Sequence, residues 1–579
     1  MTTQREESRP LLGEERPNYH SSSRSSTSSL SDGHVTILTS NSPSILSKDN
    51  DPINPSSSTG TYNIAEEDLV SSRLNGASLY TVLLGLWIGV SLSSLDSSIV
   101  ATIYAQIGTE FKKSNEIIWI ATSYMLSYTA LQPLYGRISD VFGRKTALMF
   151  ATSVFFIGSG LCGAANGLWS LVFARAVAGI GGGGINTMTT VITSDLVPLR
   201  YRGTYQGYGN IAYAVGSVVG APLGGFITDT IGWRYCFYIN LPFLLVTIYV
   251  ASCLLTNYNL AEQPPTTLWE RLKKIDYLGA ITIVLSVIAF LLATSLGGNL
   301  RSWTDPLVVG CLVASVVLAV LFCIIEAKVA LYPLMPWEII SSRTPLACSM
   351  TNLCTIMSST SLIYVTPLYF QGLMGYSPTQ AGLFFLPKIA LGSTGSVLCG
   401  MWMSRTGEYR SITIVAAVMS FVSMIGFTCW TTTTPLWFLL ICLLMDGFSM
   451  GVLITTTLIA MLSCVGQGEM ATVTSMSYLF RSVGGVIGIS ATSAIFQAIV
   501  KSELSEKITG PNADKYIEIA RQSMTEIRQL LPKDILQIVL ETYQTALRYT
   551  FLACVIIAAF NVISTLFIQR FELHTKVRK

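Results

Sequence analysis

From about residue 78 to residue 570, the chain alternates long apolar runs with short polar turns. A helix needs roughly 20 consecutive apolar residues to cross the hydrocarbon core of a bilayer, and about fourteen runs reach that length. The pattern therefore predicts an all-α polytopic membrane protein. The predicted spans lie near 78–98, 116–136, 147–166, 169–193, 207–227, 238–257, 276–296, 306–326, 346–370, 379–402, 411–430, 436–461, 473–498 and 547–568.

The segment before the first span, residues 1–76, is rich in Ser, Thr, Asn and Pro and has no helical apolar period. Such a segment cannot bury enough apolar surface to fold, so we expect a disordered cytosolic tail. Within it, Glu7, Leu11 and Leu12 have the spacing of an acidic dileucine sorting signal, which cytosolic adaptors would read. The alternative is a chance match in an inert tail.

The composition agrees with the spans, because only 12% of residues are charged and the mean hydropathy is +0.53. Soluble domains carry about 25% charged residues. All three histidines, His20, His34 and His574, lie in the terminal tails, which excludes a histidine-centred site inside the membrane. The 12 cysteines form no C-x-x-C pair and lie almost wholly inside apolar runs, so we interpret them as packing residues.

The distribution of Lys and Arg predicts the orientation, since short cytosolic loops are enriched in both. With the N-terminus inside, the short loops on the other side hold only Lys112, Lys113, Arg234 and Arg301. The cytosolic loops then carry Arg137, Arg144, Lys145, Arg200, Arg202, Arg271, Lys273, Lys274, Lys328, Arg343, Arg405 and Arg410. Both termini are thus expected in the cytosol, including a short tail at 571–579. The long loop at 501–546 is expected on the other side, with short amphipathic helices.

A charged turn, GRISDVFGRK at 136–145, joins the second and third predicted spans. Hydrocarbon does not tolerate such a loop, so it must lie at a membrane surface. Gly136, Asp140, Gly143, Arg144 and Lys145 match the pattern G-x-x-x-D-x-x-G-R-[RK]. The turn therefore resembles the loop between helices two and three of the major facilitator superfamily, and the resemblance implies a transporter whose two helix bundles rock.

This resemblance gives the charges of the turn a mechanical role. Asp140 is expected to cap the N-terminus of a neighbouring helix. Arg144 is expected to pair with Asp195 at the cytosolic end of the fourth span, forming a latch that breaks when the bundles move. The alternative is a simple positive-inside anchor, which explains the basic residues but not the glycines or Asp140.

The second half of the chain repeats the turn in weaker form at 400–410, with Ser404 where the first copy has Asp140. The same shift aligns Gly220 with Gly484. We therefore expect two six-helix bundles, at 77–257 and 346–570. The linker at 258–345 would carry two extra spans, as in the fourteen-helix drug:proton antiporter branch of the family.

The fifth span contains closely spaced small residues and a proline that resemble the antiporter motif of that branch. Small residues four apart let helix backbones meet, and a proline bends the helix. The motif predicts a flexing contact with a facing helix, with plain tight packing as the alternative. Its residues are Gly216, Gly220, Pro222, Gly224 and Gly225.

Ionisable residues inside spans are costly and therefore usually functional. Asp96 lies in a segment resembling L-D-x-T-I-V of the same branch, which implies proton coupling; the alternative is a structural hydrogen bond. Arg175 lies in a helix resembling R-x-x-x-G-x-G, where the arginine influences a proton-carrying acid; the alternative is snorkelling to the interface.

Lys388, Asp446 and Arg481 are further charges within spans, and they either neutralise the acids or contact substrate. Six polar residues are candidates to line the cavity, although such residues often bond across helix interfaces instead. They are Tyr124, Gln132, Tyr213, Asn352, Tyr369 and Gln371.

The resemblance implies a proton-coupled antiporter, and the layout looks like that of fungal vacuolar basic amino acid transporters. We expect transport of Lys, Arg or His into an acidic vacuole, with protons and the bilayer as the other partners. The alternatives are a plasma-membrane multidrug:proton exporter and a non-transporting nutrient receptor. Neither an enzyme, a cofactor nor a nucleic-acid partner is expected, because no nucleophile–base pair, metal cluster or phosphate loop occurs in the sequence.

Overall fold

The computed structural model describes residues 74, 78–111, 119–260, 267–273, 275–297, 301–330, 332–376, 378–508, 516–517 and 531–573. Fourteen long helices fill these ranges. They are α1 (Leu79–Phe111), α2 (Trp119–Phe142), α3 (Arg144–Gly163), α4 (Leu168–Leu196), α5 (Leu199–Thr230), α6 (Tyr235–Leu254), α7 (Tyr277–Leu296), α8 (Pro306–Lys328), α9 (Arg343–Leu373), α10 (Gln380–Thr406), α11 (Arg410–Thr428), α12 (Leu436–Ser463), α13 (Met470–Lys507) and α14 (Lys533–Leu566). Short helices, Leu268–Lys273 and Trp337–Ser341, precede α7 and α9.

In the described part of the chain, 13 helices are long and apolar enough to cross a membrane. The remaining long helix, α2, is more polar because it carries residues such as Ser123, Tyr124 and Gln132, all of which are buried. With 24 residues it still reaches about 36 Å at 1.5 Å per residue, enough to span. The predicted polytopic fold of about fourteen helices is thus confirmed.

The long helices form two bundles with the same internal arrangement. In the first bundle, α1 packs on α5, and α4 packs on both α2 and α3. In the second, α9 packs on α13, and α12 packs on both α10 and α11. These are equivalent pairs under the predicted repeat, and equivalent glycines make the close contacts. Gly183 of α4 lies against the backbone of Tyr128, and Gly447 of α12 lies against the backbone of Lys388.

The two remaining helices, α7 and α8, pack on each other, and α7 also contacts α2 and α13. Aspartates define where both begin, because a side-chain oxygen satisfies an unpaired N–H of the first turn. Asp276 accepts a hydrogen bond from the Gly279 N–H at 2.9 Å, and Asp305 accepts one from the Leu307 N–H at 2.9 Å. Through α7, the inserted pair contacts one helix of each bundle.

The last two helices are longer than the hydropathy pattern predicted. α13 has 38 residues and α14 has 34, whereas a span needs about 20. Val500 and Leu504 of α13 share a buried apolar cluster with Val539 and Tyr543 of α14. This packing continues both helices beyond their most apolar windows. The expected loop at 501–546 is therefore shortened at both ends.

Candidate functional site

The first bundle contains an ion pair between α1 and α4. The Arg175 Nη1 atom lies 2.5 Å from Asp96 Oδ2, and each side chain is only 1% exposed. The structure thus brings together the two residues that the sequence suggested for proton coupling. A buried pair of this kind is tolerated because each charge compensates the other.

Three further side chains surround this pair. The Arg175 guanidinium lies over the Tyr124 ring, 4.2 Å from its centre, and 5.7 Å from the centre of the Phe237 ring. The Asn240 Nδ2 donates to Asp96 Oδ1 at 3.1 Å. Both carboxylate oxygens thus accept hydrogen bonds, as the burial of a carboxylate requires. Asn240 was not among the residues predicted from the sequence, although an amide inside an apolar run was a usable signal.

The second bundle contains a different ion pair, between α10 and α12. Lys388 Nζ lies 2.8 Å from Asp446 Oδ2, with 6% and 2% of the side chains exposed. Lys388 Nζ also donates to the Ser359 carbonyl of α9 at 3.4 Å. The sequence left two roles open for Lys388, neutralising an acid or contacting substrate, and in the structure it contacts an acid. Because this acid is on the fourth helix of its bundle and Asp96 on the first, the repeat does not relate the two pairs.

Arg481 on α13 is a buried cation with a different environment. No carboxylate of the described residues lies within ion-pair distance of it. Its Nε donates to Asn352 Oδ1 at 3.1 Å, and its Nη2 donates to the Ile454 carbonyl at 2.6 Å. The Tyr478 ring centre lies 5.4 Å from the guanidinium. Neutral acceptors and a ring face stabilise this cation.

A charge cluster lies where α2 meets α3. The Arg144 guanidinium contacts Asp140 Oδ1 at 2.6 Å and Asp195 Oδ2 at 2.8 Å, and it donates to Ser139 Oγ at 2.8 Å. The expected contact between Arg144 and Asp195 is therefore present. The expected helix cap by Asp140 is wrong, because Gly143, the N-cap of α3, has no side-chain cap and Asp140 pairs with Arg144 instead.

The segment that follows α6 packs on this cluster, which the sequence analysis did not foresee. The Tyr258 hydroxyl donates to Asp195 Oδ2 at 3.1 Å. Asn259 accepts from the Arg144 N–H at 3.2 Å and donates to the Ser139 carbonyl at 3.1 Å. Lys145 Nζ donates to the Ser252 carbonyl at 2.5 Å, close to the end of α6. The α2–α3 turn, the end of α4 and the segment after α6 are thus joined by one set of polar contacts.

The bundles touch each other at the same end. A Cβ on Gly136 would collide with the backbone carbonyl of Ala471, so the glycine lets α2 and α13 meet. Arg200 at the start of α5 donates to the carbonyls of Ser404 and Arg405 at 2.5 and 2.9 Å.

Further hydrogen bonds join the bundles deeper in, within the half of each helix that is nearer the 136–145 turn. Thr190 bonds Tyr478 at 2.8 Å, and Asn210 donates to Ser396 Oγ at 2.8 Å. Ser482 donates to Gln132 Oε1 at 2.9 Å. The inter-bundle hydrogen bonds described here thus lie in the half nearer the 136–145 turn, so this end is closed.

Only part of the glycine motif on α5 makes a close helix contact. A Cβ on Gly216 or Gly220 would collide with the backbone of α1. Gly224 is also buried, whereas a Cβ on Gly225 would have no heavy atom within 4 Å. Pro222 lies inside α5 without ending it. One face of the motif therefore packs tightly on the helix that carries Asp96.

A cavity of about 590 Å³ is lined by α1, α5 and α6 of the first bundle. Its lining is almost entirely apolar, with Trp87, Leu95, Tyr208 and Phe243 among the contributors and Asn240 at one side. None of the six polar residues expected to line a cavity contributes to it. Several of them bond across helices instead, as the alternative held. These are Tyr124, Gln132 and Asn352, whereas Tyr369 donates to the Thr431 carbonyl in the loop between α11 and α12.

The sorting signal predicted at Glu7, Leu11 and Leu12 lies outside the described residues. In the described part of the chain, no group of three or more His, Cys, Asp or Glu side chains could hold a metal ion.

Comparison with known protein families gives one match over most of the chain. The family model described as Major Facilitator Superfamily matches residues 86–489.

Known proteins similar to the chain include several fungal transporters. Multidrug resistance protein fnx1 of Schizosaccharomyces pombe is 38% identical over 503 residues, covering 86% of this chain and 94% of that protein. Vacuolar membrane amino acid uptake transporter fnx2 of the same organism is 36% identical over 487 residues, covering 84% of each. Vacuolar basic amino acid transporter 2 of Saccharomyces cerevisiae is 32% identical over 403 residues, covering 68% of this chain and 84% of that protein.

Among solved structures, the human organic anion transporter MFSD10 (TETRAN) matches with a TM-score of 0.52 and 13% identity, covering 83% of this chain and 100% of that one. At this identity the likeness concerns the fold alone.

Proposed function

The chain belongs to the major facilitator superfamily, and from this premise we propose that it is a proton-coupled antiporter that moves Lys, Arg or His into the vacuole by alternating access. The observation that carries the proposal is the buried ion pair between Asp96 and Arg175, because a carboxylate in such a place can exchange a proton for a cation.

The exchange rests on competition for one carboxylate. A proton that reaches Asp96 removes its charge and leaves Arg175 without a counter-ion, which is unfavourable in a low-dielectric interior. The pair must then rearrange or lose the proton again. A cationic amino acid near Asp96 needs the ionised carboxylate, so proton and cargo exclude each other there. Mutual exclusion at one site is what an antiporter requires.

The basic loops support an orientation in which the 136–145 turn faces the cytosol. The closed end of the bundles would then be the cytosolic end, and the opposite end would open to the vacuole lumen. In this state Asp96 would take up protons from the acidic lumen. The Arg144 cluster would act as the latch that stabilises the closed cytosolic end until the bundles move.

Two relatives favour amino acids over other cargo. The names of fnx2 and of Vacuolar basic amino acid transporter 2, which are 36% and 32% identical to this chain, describe vacuolar amino acid transport. Their names also support the vacuole membrane as the location of this chain.

A second candidate function, plasma-membrane multidrug:proton exchange, is favoured by a separate observation. The cavity of about 590 Å³ is almost wholly apolar and suits a hydrophobic compound better than an amino acid. The name of fnx1, a multidrug resistance protein at 38% identity, agrees with this alternative.

The test is uptake by purified protein in liposomes. With an acidic interior, labelled lysine, arginine or histidine should accumulate inside, and a protonophore should abolish the accumulation. Equal uptake with and without the pH gradient would overturn proton coupling. Uptake of a hydrophobic cation but of no amino acid would favour the multidrug alternative.

Localisation gives an independent check. A fluorescent fusion should mark the rim of the vacuole. A signal confined to the cell surface would contradict the proposed location and support the exporter.

A further inference from the structure

Arg481 stands apart from the other charges in the interior of the described spans. Arg175 has Asp96 within 2.5 Å, and Lys388 has Asp446 within 2.8 Å. Arg481 has no carboxylate at such a distance among the described residues, although only 8% of it is exposed. A buried cation without a counter-ion is costly. The charge pattern therefore leaves room for one anionic group.

The guanidinium is held in a fixed position by α9 and α12. Asn352 Oδ1 accepts from Arg481 Nε at 3.1 Å and from the Thr457 hydroxyl at 2.9 Å. The Asn352 Nδ2 in turn donates to Ser477 Oγ at 3.1 Å. Arg481 Nη2 donates to the Ile454 carbonyl at 2.6 Å. Pre-organisation of this kind lowers the entropy cost of binding a ligand.

The side chain lies at the boundary between the two bundles. Residues three and four positions apart share one helix face, so Arg481 is on the face of α13 that also carries Tyr478. Tyr478 bonds Thr190 of α4, and Ser482, the next residue after Arg481, bonds Gln132 of α2. The Arg481 Nη1 atom makes none of the hydrogen bonds described for this face. A guanidinium nitrogen without a described partner, Nη1, therefore lies where alternating access requires a substrate site.

We infer that Arg481, positioned by Asn352, binds the α-carboxylate of the transported amino acid. A guanidinium edge matches a carboxylate with two parallel hydrogen bonds, and this geometry is specific as well as strong. The assignment rests on the proposed transport of basic amino acids and deepens it. It makes Arg481 a specificity-determining residue, because a cationic compound without a carboxylate cannot compensate its charge.

The test compares two amino acids with the amines that differ from them only by lacking the carboxylate. Agmatine is arginine without its carboxylate, and cadaverine is lysine without its own. In liposomes with an acidic interior, the wild-type protein should take up arginine and lysine at least about tenfold more efficiently than these amines, a preference worth about 1.4 kcal/mol. The wild type alone can therefore contradict the inference.

The variant Arg481→Gln assigns the preference to this residue. It should raise the KM for arginine by about tenfold or more while agmatine uptake is kept or improved, because the uncompensated charge is gone. Arg481→Lys serves if the Gln variant is not recovered folded, and it should weaken arginine binding because an ammonium lacks the planar fork. The matched control is Arg301→Gln, an exposed arginine with 49% of its side chain accessible, which should leave both substrates unchanged.

The outcomes separate the two proposals. Gradient-driven arginine uptake with equal agmatine uptake in the wild type would overturn the carboxylate site and leave the proposed function standing. The carboxylate site is overturned in the same way if both Arg481 variants retain the wild-type preference. A wild type that moves neither lysine, arginine nor histidine would overturn the function and this site together.

Discussion

Asp96 and Arg175 are separated by 79 positions in the chain, yet they meet at 2.5 Å in the interior of the first bundle. The pair is asymmetric in function under our proposal, since only the carboxylate is assigned to exchange protons. Arginine stays charged in proteins. The contribution of the pair to proton-coupled transport can therefore be separated from its contribution to protein stability by changing one or both residues.

Asp96→Asn should abolish gradient-driven uptake and lower the thermal unfolding midpoint in detergent. Removing one partner of a buried pair costs about 3–5 kcal/mol, because it leaves the other charge uncompensated. The double variant Asp96→Asn with Arg175→Gln should recover much of the midpoint but no coupled uptake. Recovered uptake in the double variant would mean that the pair is only structural.

Asp195→Asn should slow transport more than Asp140→Asn. Both carboxylates contact Arg144, but Asp195 also accepts a hydrogen bond from the Tyr258 hydroxyl. Neutralising Asp195 therefore weakens the contacts of two side chains, Arg144 and Tyr258. The measurement is the initial rate of uptake, with protein amount and sorting checked in parallel. Tyr258→Phe is the matched variant, and its initial rate of uptake should lie between those of the wild type and Asp195→Asn. If all three variants transport at the wild-type rate, the cluster is not a latch.

Lys388→Met combined with Asp446→Leu should preserve coupled uptake. A buried ion pair can often be replaced by apolar side chains of similar size at little cost, whereas either single change leaves an unpaired charge. We therefore expect both single variants to be less stable than the double variant. Uptake and the unfolding midpoint are measured on the same preparations. A stable double variant without uptake would place Asp446 in the proton path.

The helices were predictable because the bilayer imposes a length and an apolar composition on each of them. The cluster around Arg144 was predictable in part, since the turn at 136–145 matches a family pattern. The helix cap expected of Asp140 failed because Arg144, four residues later, offers a charge-assisted contact that competes with the helix N–H groups. Local pattern did not reveal which partner would be closer.

Other features of the site depend on packing between distant segments. The pairing of Asp96 with Arg175, and of Lys388 with Asp446, follows from which helices touch, and the sequence left those partners open. Tyr258 looked like an ordinary loop residue. Nothing in the neighbouring sequence indicates that a polar residue after a span will donate a hydrogen bond to Asp195. The extensions of α13 and α14 were missed because hydropathy locates the part inside the lipid and not the end of the helix.

Glu110→Gln should destabilise the protein at neutral pH but not at strongly acidic pH. Glu110 lies beyond the apolar window of α1, Leu79–Val100, and accepts from Trp233 Nε1 at 2.5 Å. That hydrogen bond, and then the nearby Arg234, hold the pKa of Glu110 below its ordinary value of 4.5. The stabilisation is therefore complete above about 4.5 and is lost as the pH falls through the lowered pKa.

The measurement for Glu110 is the unfolding midpoint of both proteins across a pH series. The difference should be small, because 43% of the Glu110 side chain is exposed and solvent screens the contact. Asp305, a partly exposed cap of α8 with 24% of its side chain accessible, offers a comparison through Asp305→Asn. A wild-type advantage that grows as the pH falls below 4.5 would contradict the direction of the pKa shift.

Gly136→Val should open the end of the bundles that we place in the cytosol. The added side chain would meet the Ala471 carbonyl and Ser475 of α13, so it disfavours the closed arrangement. Overpacking costs about 1–3 kcal/mol, which shifts a two-state equilibrium by roughly 5- to 150-fold.

The reporter is Ser396→Cys, in a variant without the other cysteines, because Ser396 is fully buried at the contact with Asn210. A charged maleimide should label it faster in Gly136→Val than in the parent. Gly160→Val is the matched control, since a Cβ there has no heavy atom within 4 Å and should not change labelling. Equal labelling in all three proteins would show that Gly136 does not control closure, and the two-bundle motion would then need another contact surface.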